Sequence, residues 1–333
     1  MRYLIRNLLW LPVILWAVAS LTFLILRLAP GNPLDAIAAR VIEAEVIERV
    51  RVEWGLDQPL WEQYLRFLSN LLRGDLGVAF SSGVPVRELI ATRLAPTIEL
   101  AVAATLISTV IGIATGLISS TTRNRWLDYT ARGAAMFGMS VPWFWLAMLL
   151  IIVFSVHLGW TPVGGRVGAH ITYATITNFM LIDALITWNW PALWSFLHHL
   201  TLPALAVGLT SAGFVARMTR AAMLEVLNAD YIRAARARGL TERLVVLRHA
   251  LRNAMLPVLT LQGLQFGTLL GGAVVTEIVF AWPGLGRMLL DGILRRDYPI
   301  VQGTVLVIAC AYVLVNLMID LLYHVIDPRM RES

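Results

Sequence analysis

The sequence contains no lysine, since all 27 of its basic residues are arginine. A P-loop needs a lysine that reaches the nucleotide phosphates, and Schiff-base and lysine-base catalysis need one as well. The chain therefore carries no standard nucleotide-hydrolysing P-loop and no lysine-dependent catalytic site. Purified alone, it is expected neither to bind nor to hydrolyse ATP.

Cysteine and charge are also scarce. The single cysteine, Cys310, lies in an apolar run, which excludes an internal disulfide and a multi-cysteine metal site. Charged residues make up 14% of the chain and hydrophobic residues 58%, and the mean hydropathy is +0.71. These values are typical of a polytopic helical membrane protein and not of a soluble domain.

Six apolar runs are long enough to cross about 30 Å of hydrocarbon. They comprise residues 8–28, 97–119, 133–156, 196–216, 255–279 and 301–326. We therefore predict an all-α polytopic membrane protein with six transmembrane helices. No small-residue cleavage site follows the first run, so we expect it to remain as an uncleaved span. Residues 176–196 are also apolar, but their clustered tryptophans favour the membrane interface over a seventh span.

Arginine is unevenly distributed between the loops. Residues 217–252 contain eight arginines and three carboxylates, whereas residues 29–95 contain seven arginines and nine carboxylates. Because short cytoplasmic loops are enriched in basic residues, both termini are predicted to be cytoplasmic. The predicted organisation is a first span with an extracytoplasmic cap at residues 1–95. A five-helix core follows at residues 96–333, with its cytoplasmic loop at 217–252.

The segment after the first span is predicted to form a small helical cap. Residues 34–54 have helical periodicity that ends at Gly55, and a second helix is predicted after Pro59. The apolar face of that second helix comprises Leu60, Tyr64, Leu68 and Leu71. A turn is predicted at Gly74-Asp-Leu-Gly77. With no chemistry of its own, the cap is expected to shape the outer mouth.

Ionisable side chains inside the spans are few, and each is a functional candidate because a central charge costs about 2.5–3.5 kcal/mol on insertion scales. Glu99 and Glu277 fall near the outer ends of spans two and five. We interpret them as interfacial or structural residues, with the lining of a polar path as the alternative. Asn316 and Asp320, one turn apart in span six, are predicted to make interhelical hydrogen bonds.

Glycines recur at four-residue spacing in two of the spans. Gly112 and Gly116 do so in span two, and span five contains Gly263, Gly267, Gly271 and Gly272. Such small-xxx-small patterns predict close packing of helices. A bendable pore lining is the alternative.

No pattern in the sequence predicts a catalytic or a metal site. His198 and His199 are adjacent, so they point to different faces of a helix and are poorly placed to bind one metal ion. The motifs of serine hydrolases and zinc proteases are absent from the spans. An intramembrane hydrolase would therefore have no visible nucleophile or metal.

The most informative segment is Asn228-Ala-Asp-Tyr-Ile-Arg-Ala-Ala-Arg-Ala-Arg-Gly-Leu240. Asp230 is placed to cap a helix over residues 231–238, and Gly239 suits the C-terminal end of that helix. Its alanines make the helix slim enough to enter a cleft, and its arginines can pair with acidic groups. The candidate docking residues are Asp230, Tyr231, Arg233, Ala234, Ala235, Arg236, Ala237 and Gly239. The alternative is a solvated or headgroup-facing basic loop.

This segment, together with Arg248-His-Ala-Leu-Arg-Asn-Ala-Met-Leu-Pro257, resembles the cytoplasmic "EAA" loop of ABC-importer permeases. The resemblance is to the dipeptide, oligopeptide and nickel branch, and it covers nearly the whole chain. Further signatures stand in the expected order: Ala29-Pro-Gly-Asn-Pro33, Gly74-Asp-Leu-Gly77, Thr97-Ile-Glu-Leu100, Ser140-Val-Pro-Trp-Phe144, Trp282-Pro-Gly-Leu-Gly-Arg287, Arg296-Asp-Tyr-Pro299 and Asp327-Pro-Arg329.

The chain departs from the general importer pattern at several positions. Arg233 stands where the general loop has glutamate, and Pro257 comes later than the usual closing proline. Both features resemble the peptide branch, but no role of that glutamate transfers to this chain. Asn32 stands where the family often has aspartate.

The resemblance implies a type I ABC importer fold and a permease subunit that moves substrate by alternating access. Di- or oligopeptides are the implied substrate, with nickel or another small solute as the alternative. The implied partners are a second homologous permease subunit, two cytoplasmic ATPase subunits that bind ATP and Mg, an extracytoplasmic substrate-binding protein and membrane lipid, with no nucleic acid. The chain itself is expected to bind no cofactor.

Within this assembly, residues 231–239 would be the coupling helix that docks in a groove of one ATPase subunit. The implied location is the cytoplasmic (inner) membrane of a bacterium or archaeon. A secondary transporter or channel is the alternative from a different class. It would need buried coupling carboxylates or broken helices at the midplane, and the sequence shows neither clearly.

The predicted topology can be tested with single cysteines in a Cys310→Ala background. A Glu48→Cys variant should react with a membrane-impermeant thiol reagent added to intact cells, because residue 48 lies in the predicted outer cap. An Arg238→Cys variant should react only after the inner membrane has been opened. The reverse labelling pattern would contradict both the span count and the cytoplasmic placement of residues 217–252.

Overall fold

The computed structural model of the protein describes residues 2–28, 51–52, 55–122 and 124–326. These residues are mostly helical, with one isolated antiparallel bridge between Val78 and Pro85. The helices are α1 (Arg2–Leu28), α2 (Leu60–Leu72), α3 (Val86–Thr121), α4 (Arg125–Ser140), α5 (Trp143–Leu150, continued by a π-helical turn at Ile151–His157), α6 (Met180–Ile186), α7 (Trp190–Leu227), α8 (Asp230–Ala237), α9 (Glu242–Leu244, continued by a π-helical turn at Val245–Ala250), α10 (Leu251–Gly272), α11 (Val274–Val279), α12 (Leu285–Leu294) and α13 (Tyr298–Ile326).

Five helical segments in the described residues are long and apolar enough to cross a membrane, and a sixth is present if one bent pair counts as a single span. The five lie in α1, α3, α7, the continuous run from α9 into α10, and α13. The bent pair consists of α4 and α5. The predicted all-α membrane architecture is confirmed, and six spans are reached with the bent pair included.

The third predicted span, 133–156, is divided between two helices. α4 and α5 meet at an angle of 102° between Ser140 and Trp143. Pro142 precedes α5, and Val141 has φ −80° and ψ 125°. A residue before proline is driven to this extended conformation by contact with the proline ring, so the helix ends there.

The fourth span is longer than the predicted 196–216. α7 begins at Trp190, where the Asn189 side chain accepts a hydrogen bond from the Ala192 N–H at 3.1 Å, and it ends at Leu227. The first part of the predicted 217–252 loop is thus the last part of α7. The predicted fifth span, 255–279, is divided at Ala273 into α10 and α11.

The helix predicted after Pro59 is confirmed as α2, which packs on the C-terminal part of α1. The Tyr64 hydroxyl is 2.6 Å from the Ser20 hydroxyl, and the Phe23 ring lies against Tyr64 and Phe67. The first predicted cap helix, residues 34–54, lies outside the described residues except for positions 51–52.

The predicted turn after α2 is also confirmed. Gly74 and Gly77 have φ of +75° and +79°, which glycine adopts without steric cost. The Gly77 N–H donates to an Asp75 carboxylate oxygen at 2.8 Å. The predicted division between residues 95 and 96 falls inside the continuous helix α3.

α3 and α7 pack along a seam of small residues, as the glycine pattern of span two predicts. A Cβ atom added to Gly112 would lie 2.5 Å from the Val215 Cβ, and one added to Gly116 would lie 2.6 Å from the Ala216 carbonyl oxygen. From the facing helix, a Cβ on Gly208 would lie 2.7 Å from the Ile107 side chain. Only glycine allows this approach of the two backbones.

The glycines of span five have the same role against α13. A Cβ on Gly263 would overlap the Ile319 side chain, and one on Gly267 would lie 3.0 Å from the Tyr312 ring. The predicted close packing is therefore present in both helix pairs.

The seam predicts a position-dependent effect of adding one methyl group. Gly112→Ala and Gly116→Ala should each lower the free energy of unfolding by about 1–3 kcal/mol, because the added Cβ overlaps α7. Gly133→Ala is the matched control: no atom lies within 4 Å of a Cβ at this helical site, and the change should be neutral or stabilising. Thermal denaturation of the purified variants measures the difference, and equal melting temperatures for all three would contradict close packing.

Candidate functional site

The helix predicted over residues 231–238 is present as α8 (Asp230–Ala237), but its start differs from the prediction. Ala229 is the N-cap residue, and no side chain caps the helix. Asp230 lies in the first turn, where its exposed carboxylate pairs with Arg233. Asp230 is thus not the cap, although an acidic residue in the first turn still favours the helix dipole.

The C-terminal end of α8 agrees with the prediction. Gly239 has φ +76°, and its N–H donates to the Arg236 carbonyl oxygen at 3.0 Å. A Cβ atom at this position would have no neighbour within 4 Å, so only the backbone conformation requires glycine. Thr241 then precedes the short helix α9.

α8 has one buried and one exposed face. Ile232 is 0% and Ala235 8% exposed, and these two residues are one turn apart. Ala235 was predicted among the docking residues, but it contacts the interior of this chain instead. Its small side chain allows α8 to lie close to the helices beneath it.

The buried face of α8 packs into a hydrophobic cluster that joins it to the ends of two spans. Ala222 and Met223 of α7 contribute from one side, and Val245 and Val246 of the π-helical turn from the other. The cluster also contains Ala250 and Ala254, and Leu117 of α3 packs against it. α8 is therefore part of the same packed unit as α3, α7 and α10.

The exposed face of α8 combines small, aromatic and basic side chains. These are Tyr231, Arg233, Ala234, Arg236, Ala237 and, just beyond the helix, Arg238. Tyr231 is 44% exposed, and its hydroxyl accepts a hydrogen bond from the Asn253 side chain at 2.8 Å. The face is narrow and positively charged, with its aromatic residue held in place.

Arg236 is oriented by Glu242 at the start of α9. Its Nη2 and Nε atoms lie 2.7 and 3.1 Å from the two Glu242 carboxylate oxygens. This hydrogen bonding raises the pKa of the Arg236 guanidinium. Because both side chains are well exposed, the pair orients Arg236 more than it stabilises the fold.

Glu277 lies in a polar cluster at the end of α3 that is far from α8. It is 0% exposed, and one carboxylate oxygen accepts from the Thr97 hydroxyl at 2.7 Å while the other accepts from the Arg287 N–H at 2.9 Å. The Thr97 hydroxyl in turn accepts from the Leu285 N–H at 2.8 Å. A Cβ on Gly284 would overlap the carboxylate. We call Thr97, Glu277, Trp282 and the backbone of residues 284–287 the outer knot, after the side of the membrane on which the sequence predicts it to lie.

Trp282 closes the outer knot. Its indole N–H donates to the Pro96 carbonyl oxygen at 2.9 Å, and its ring is fully buried beside Phe196. The carboxylate of Glu277 and the hydroxyl of Thr97 thus satisfy backbone N–H groups at the N-terminus of α12, which a helix leaves without intrahelical partners. The geometry corresponds to the structural interpretation of Glu277.

Glu99 forms a buried ion pair with Arg166, which lies in the loop between α5 and α6. The Arg166 Nη2 atom is 2.5 Å from a Glu99 carboxylate oxygen and donates to the Asn178 carbonyl oxygen at 2.7 Å. The other Glu99 oxygen accepts from the Leu181 N–H at 3.1 Å. Glu99 therefore joins α3 to the loop between α5 and α6 and to the start of α6.

The buried carboxylate of Asp183, in α6, binds the end of the same loop. Burial opposes its ionisation, but hydrogen bonds from the Thr177 hydroxyl and from the N–H groups of Ile176 and Thr177 outweigh that effect and lower its pKa. The loop therefore gains stability at neutral pH, and it loses this contribution as the pH falls towards the pKa of the folded state.

The remaining sequence candidates are less closely bound into the structure. Asn316 is half-buried in α13 and makes no interhelical hydrogen bond with the described side chains, so the predicted bond stays a prediction. The Asp320 side chain lies outside the described part of the protein. Among the described residues, no group of three His, Cys, Asp or Glu side chains could hold a metal ion.

The sequence did not single out four important residues as individual candidates: Ile232, Arg166, Thr97 and Trp282. Ile232 and Ala235 share the i, i+3 spacing of a buried helix face, a signal that could have separated the inner from the outer side of α8. Arg166 had no local signal, because its partner Glu99 lies 67 positions away. Thr97 and Trp282 were noted only as parts of motifs.

The family described as "Binding-protein-dependent transport system inner membrane component" matches residues 108–332. A second family model, which describes the N-terminal part of the same membrane component, matches residues 1–101. Together the two matches cover nearly the whole chain.

Three relatives match along nearly their full lengths. The chain is 45% identical to the dipeptide transport system permease protein DppB of Escherichia coli K12, covering 100% of this chain and 99% of DppB. It is 43% identical to the glutathione transport system permease protein GsiC of the same strain, covering 99% of each chain. It is 40% identical to DppB of Alkalihalophilus pseudofirmus, again covering 99% of each chain.

Among solved structures, the chain is similar to a subunit of the MetNI methionine ABC transporter in inward-facing conformations. The TM-score is 0.54 at 21% identity, covering 72% of this chain and 97% of that one. A second crystal form gives a TM-score of 0.55 at 20% identity. At this identity the likeness concerns the fold, which is that of a type I ABC importer permease.

The outer knot predicts that Glu277 and Thr97 stabilise the fold. Glu277→Gln would replace one of two acceptor oxygens with an amide donor, which would face either the Thr97 hydroxyl or the Arg287 N–H. Thr97→Val would remove the hydroxyl between Glu277 and Leu285. Each should lower the free energy of unfolding by about 1–3 kcal/mol, measured as a reduced melting temperature of the purified protein. Asp291→Asn, at an exposed position of α12, is the control. A Glu277→Gln protein with the wild-type melting temperature but without uptake would instead place Glu277 on a polar path.

Proposed function

We propose that this chain, which belongs to the family of binding-protein-dependent transport system inner membrane components, is the permease subunit of an ATP-driven importer of di- or oligopeptides. The substrate class is supported by relatives that carry dipeptide and glutathione transport in their names. Identifying the ligand that co-purifies with the cognate binding protein tests it. A nickel complex or a sugar in that protein would replace the peptide assignment.

The proposed assembly contains a second homologous permease subunit, two cytoplasmic ATPase subunits and an extracytoplasmic binding protein. ATP and Mg would bind to the ATPase subunits, because this chain has no lysine for a P-loop. The outer cap, including α2, would help to seat the binding protein. Both termini would lie in the cytoplasm, which the arginine-rich segment 217–252 supports.

α8 is the proposed coupling helix, and its two faces are the observation that carries the proposal. Ile232 and Ala235 hold it in the cluster with α7 and α10, while Ala234, Ala237 and the arginines remain exposed. The small side chains would enter a groove of an ATPase subunit. Arg233 and Arg238 would pair with acidic groups at the rim of that groove, as arginine does with carboxylates.

The contacts of α8 also suggest how ATPase movement would reach the spans. Because its buried face is packed against α7 and the turn before α10, α8 cannot move far without moving the ends of both helices. Closure of the ATPases on ATP would shift this unit and change the relative positions of the spans. Transport then follows from a two-state change coupled through a rigid element.

The coupling role predicts different effects for two adjacent alanines. Ala234→Trp should leave the melting temperature unchanged, because Ala234 is exposed, yet abolish co-purification of the ATPase subunits and peptide uptake. Ala235→Trp should lower the melting temperature, since its site is buried. Ala234→Ser keeps the small size and should behave as wild type.

Gly239 provides a second test at one position. Gly239→Val should strain the left-handed end of α8 by about 1 kcal/mol or more and impair uptake, whereas Gly239→Asn should retain most of it, because asparagine tolerates this conformation. Wild-type uptake by Ala234→Trp and Gly239→Val at matched expression would mean that the loop is only a solvated basic segment.

A further inference from the structure

A cavity of about 210 Å³ lies between α3, α4 and α7, at the end of the helices that carries α8. Its walls are almost wholly apolar and comprise Thr115, Gly116, Ala131, Ala135, Met136, Met139 and Ala216. Ser119, Arg132 and Arg220 lie together around the Asp128 carboxylate and form a polar end, and Arg217 is the third arginine of the lining. The cavity therefore combines an apolar wall with a polar end.

The charge at the polar end is only partly compensated. Arg132 binds the carboxylate of Asp128, and the Arg220 Nη2 atom lies 3.7 Å from the same carboxylate. Arg217 contacts the face of the Phe214 ring, with its guanidinium carbon 5.9 Å from the ring centre. The three arginines of the lining thus have one carboxylate between them, which leaves about two positive charges for an anionic ligand.

The chemistry of the cavity points to a ligand with an anionic head and an apolar chain. Pockets that enclose a drug-sized ligand have volumes of about 300–1,000 Å³. This cavity is smaller, so it would hold only part of a larger molecule, whose remainder stays in the membrane. Guanidinium groups bind phosphate oxygens through paired hydrogen bonds. Basic pockets between transmembrane helices suit anionic headgroups for this reason.

We propose that this cavity is a binding site for an anionic phospholipid from the leaflet on the α8 side. The phosphate would lie at Arg217 and Arg220, and an acyl chain would extend along Ala131, Ala135 and Met139. The site does not depend on the transported substrate.

The position of the site indicates what a bound lipid would do. The Arg220 Nη1 atom donates to the Ser119 carbonyl oxygen at 3.2 Å and so joins α7 to α3. Less than one turn further along α7, Ala222 and Met223 belong to the cluster that holds α8. A lipid at this point would brace the helices next to α8.

Native mass spectrometry of the complete purified importer tests the proposal. The complex is equilibrated with phosphatidylglycerol or with phosphatidylcholine of the same acyl chains, and it should retain phosphatidylglycerol preferentially. Arg217→Gln should weaken phosphatidylglycerol binding about fivefold and leave phosphatidylcholine binding unchanged. Arg243→Gln, an exposed arginine outside the cavity, is the matched control and should bind as wild type.

A second pair of variants tests the apolar wall. Ala131→Phe would fill the cavity and should also weaken phosphatidylglycerol binding, whereas Ala134→Phe, on the exposed side of α4, should not. Equal retention of the two lipids, or wild-type binding by Arg217→Gln, would overturn the proposal. A photo-crosslink from position 131 to the second permease subunit instead of lipid would do so as well. Since lipid binding is the readout, these outcomes are separate from those that test import.

Discussion

α3 and α7 lie backbone to backbone, and this contact is the constraint on which the other features of the fold depend. Gly112, Gly116 and Gly208 leave no space for even one additional carbon atom between the helices. In lipid, apolar side chains gain little by moving from hydrocarbon to a helix interface, so close packing and hydrogen bonds must hold the helices together. Gln262 of α10 adds such a hydrogen bond, to the Thr109 hydroxyl of α3 at 2.6 Å.

The two ends of this helix pair lie next to a polar cluster and a hydrophobic cluster. At one end, Thr97 of α3 shares its hydroxyl with Glu277 and the start of α12. At the other end, Leu117 of α3 and Met223 of α7 contact the cluster beneath α8. A displacement of α8 would therefore move helices that also contact the outer knot. The proposed coupling thus has a physical route across the membrane.

All basic residues of the chain are arginine, and at buried positions the guanidinium group makes contacts that suit its planar shape. Arg166 binds Glu99 and the Asn178 carbonyl group together, a set of contacts that suits a planar guanidinium with several donors. The Arg27 Nε atom donates to Gln63 at 2.7 Å while its guanidinium lies over the Tyr298 ring, 4.7 Å from the ring centre. A lysine would offer a point charge without this stacking geometry.

The sequence by itself determined the features that depend on neighbouring residues: the apolar spans, the helix after Pro59 and the short helix ended by Gly239. Hydropathy, helical periodicity and glycine conformation act over a few residues, so they can be read without the fold. Tertiary structure alone decided that Glu277 meets Thr97, 180 positions away, and that Ala235 faces inward while Ala234 stays exposed. Partner choice and the orientation of a face depend on which distant helices pack together, and that depends on the whole chain.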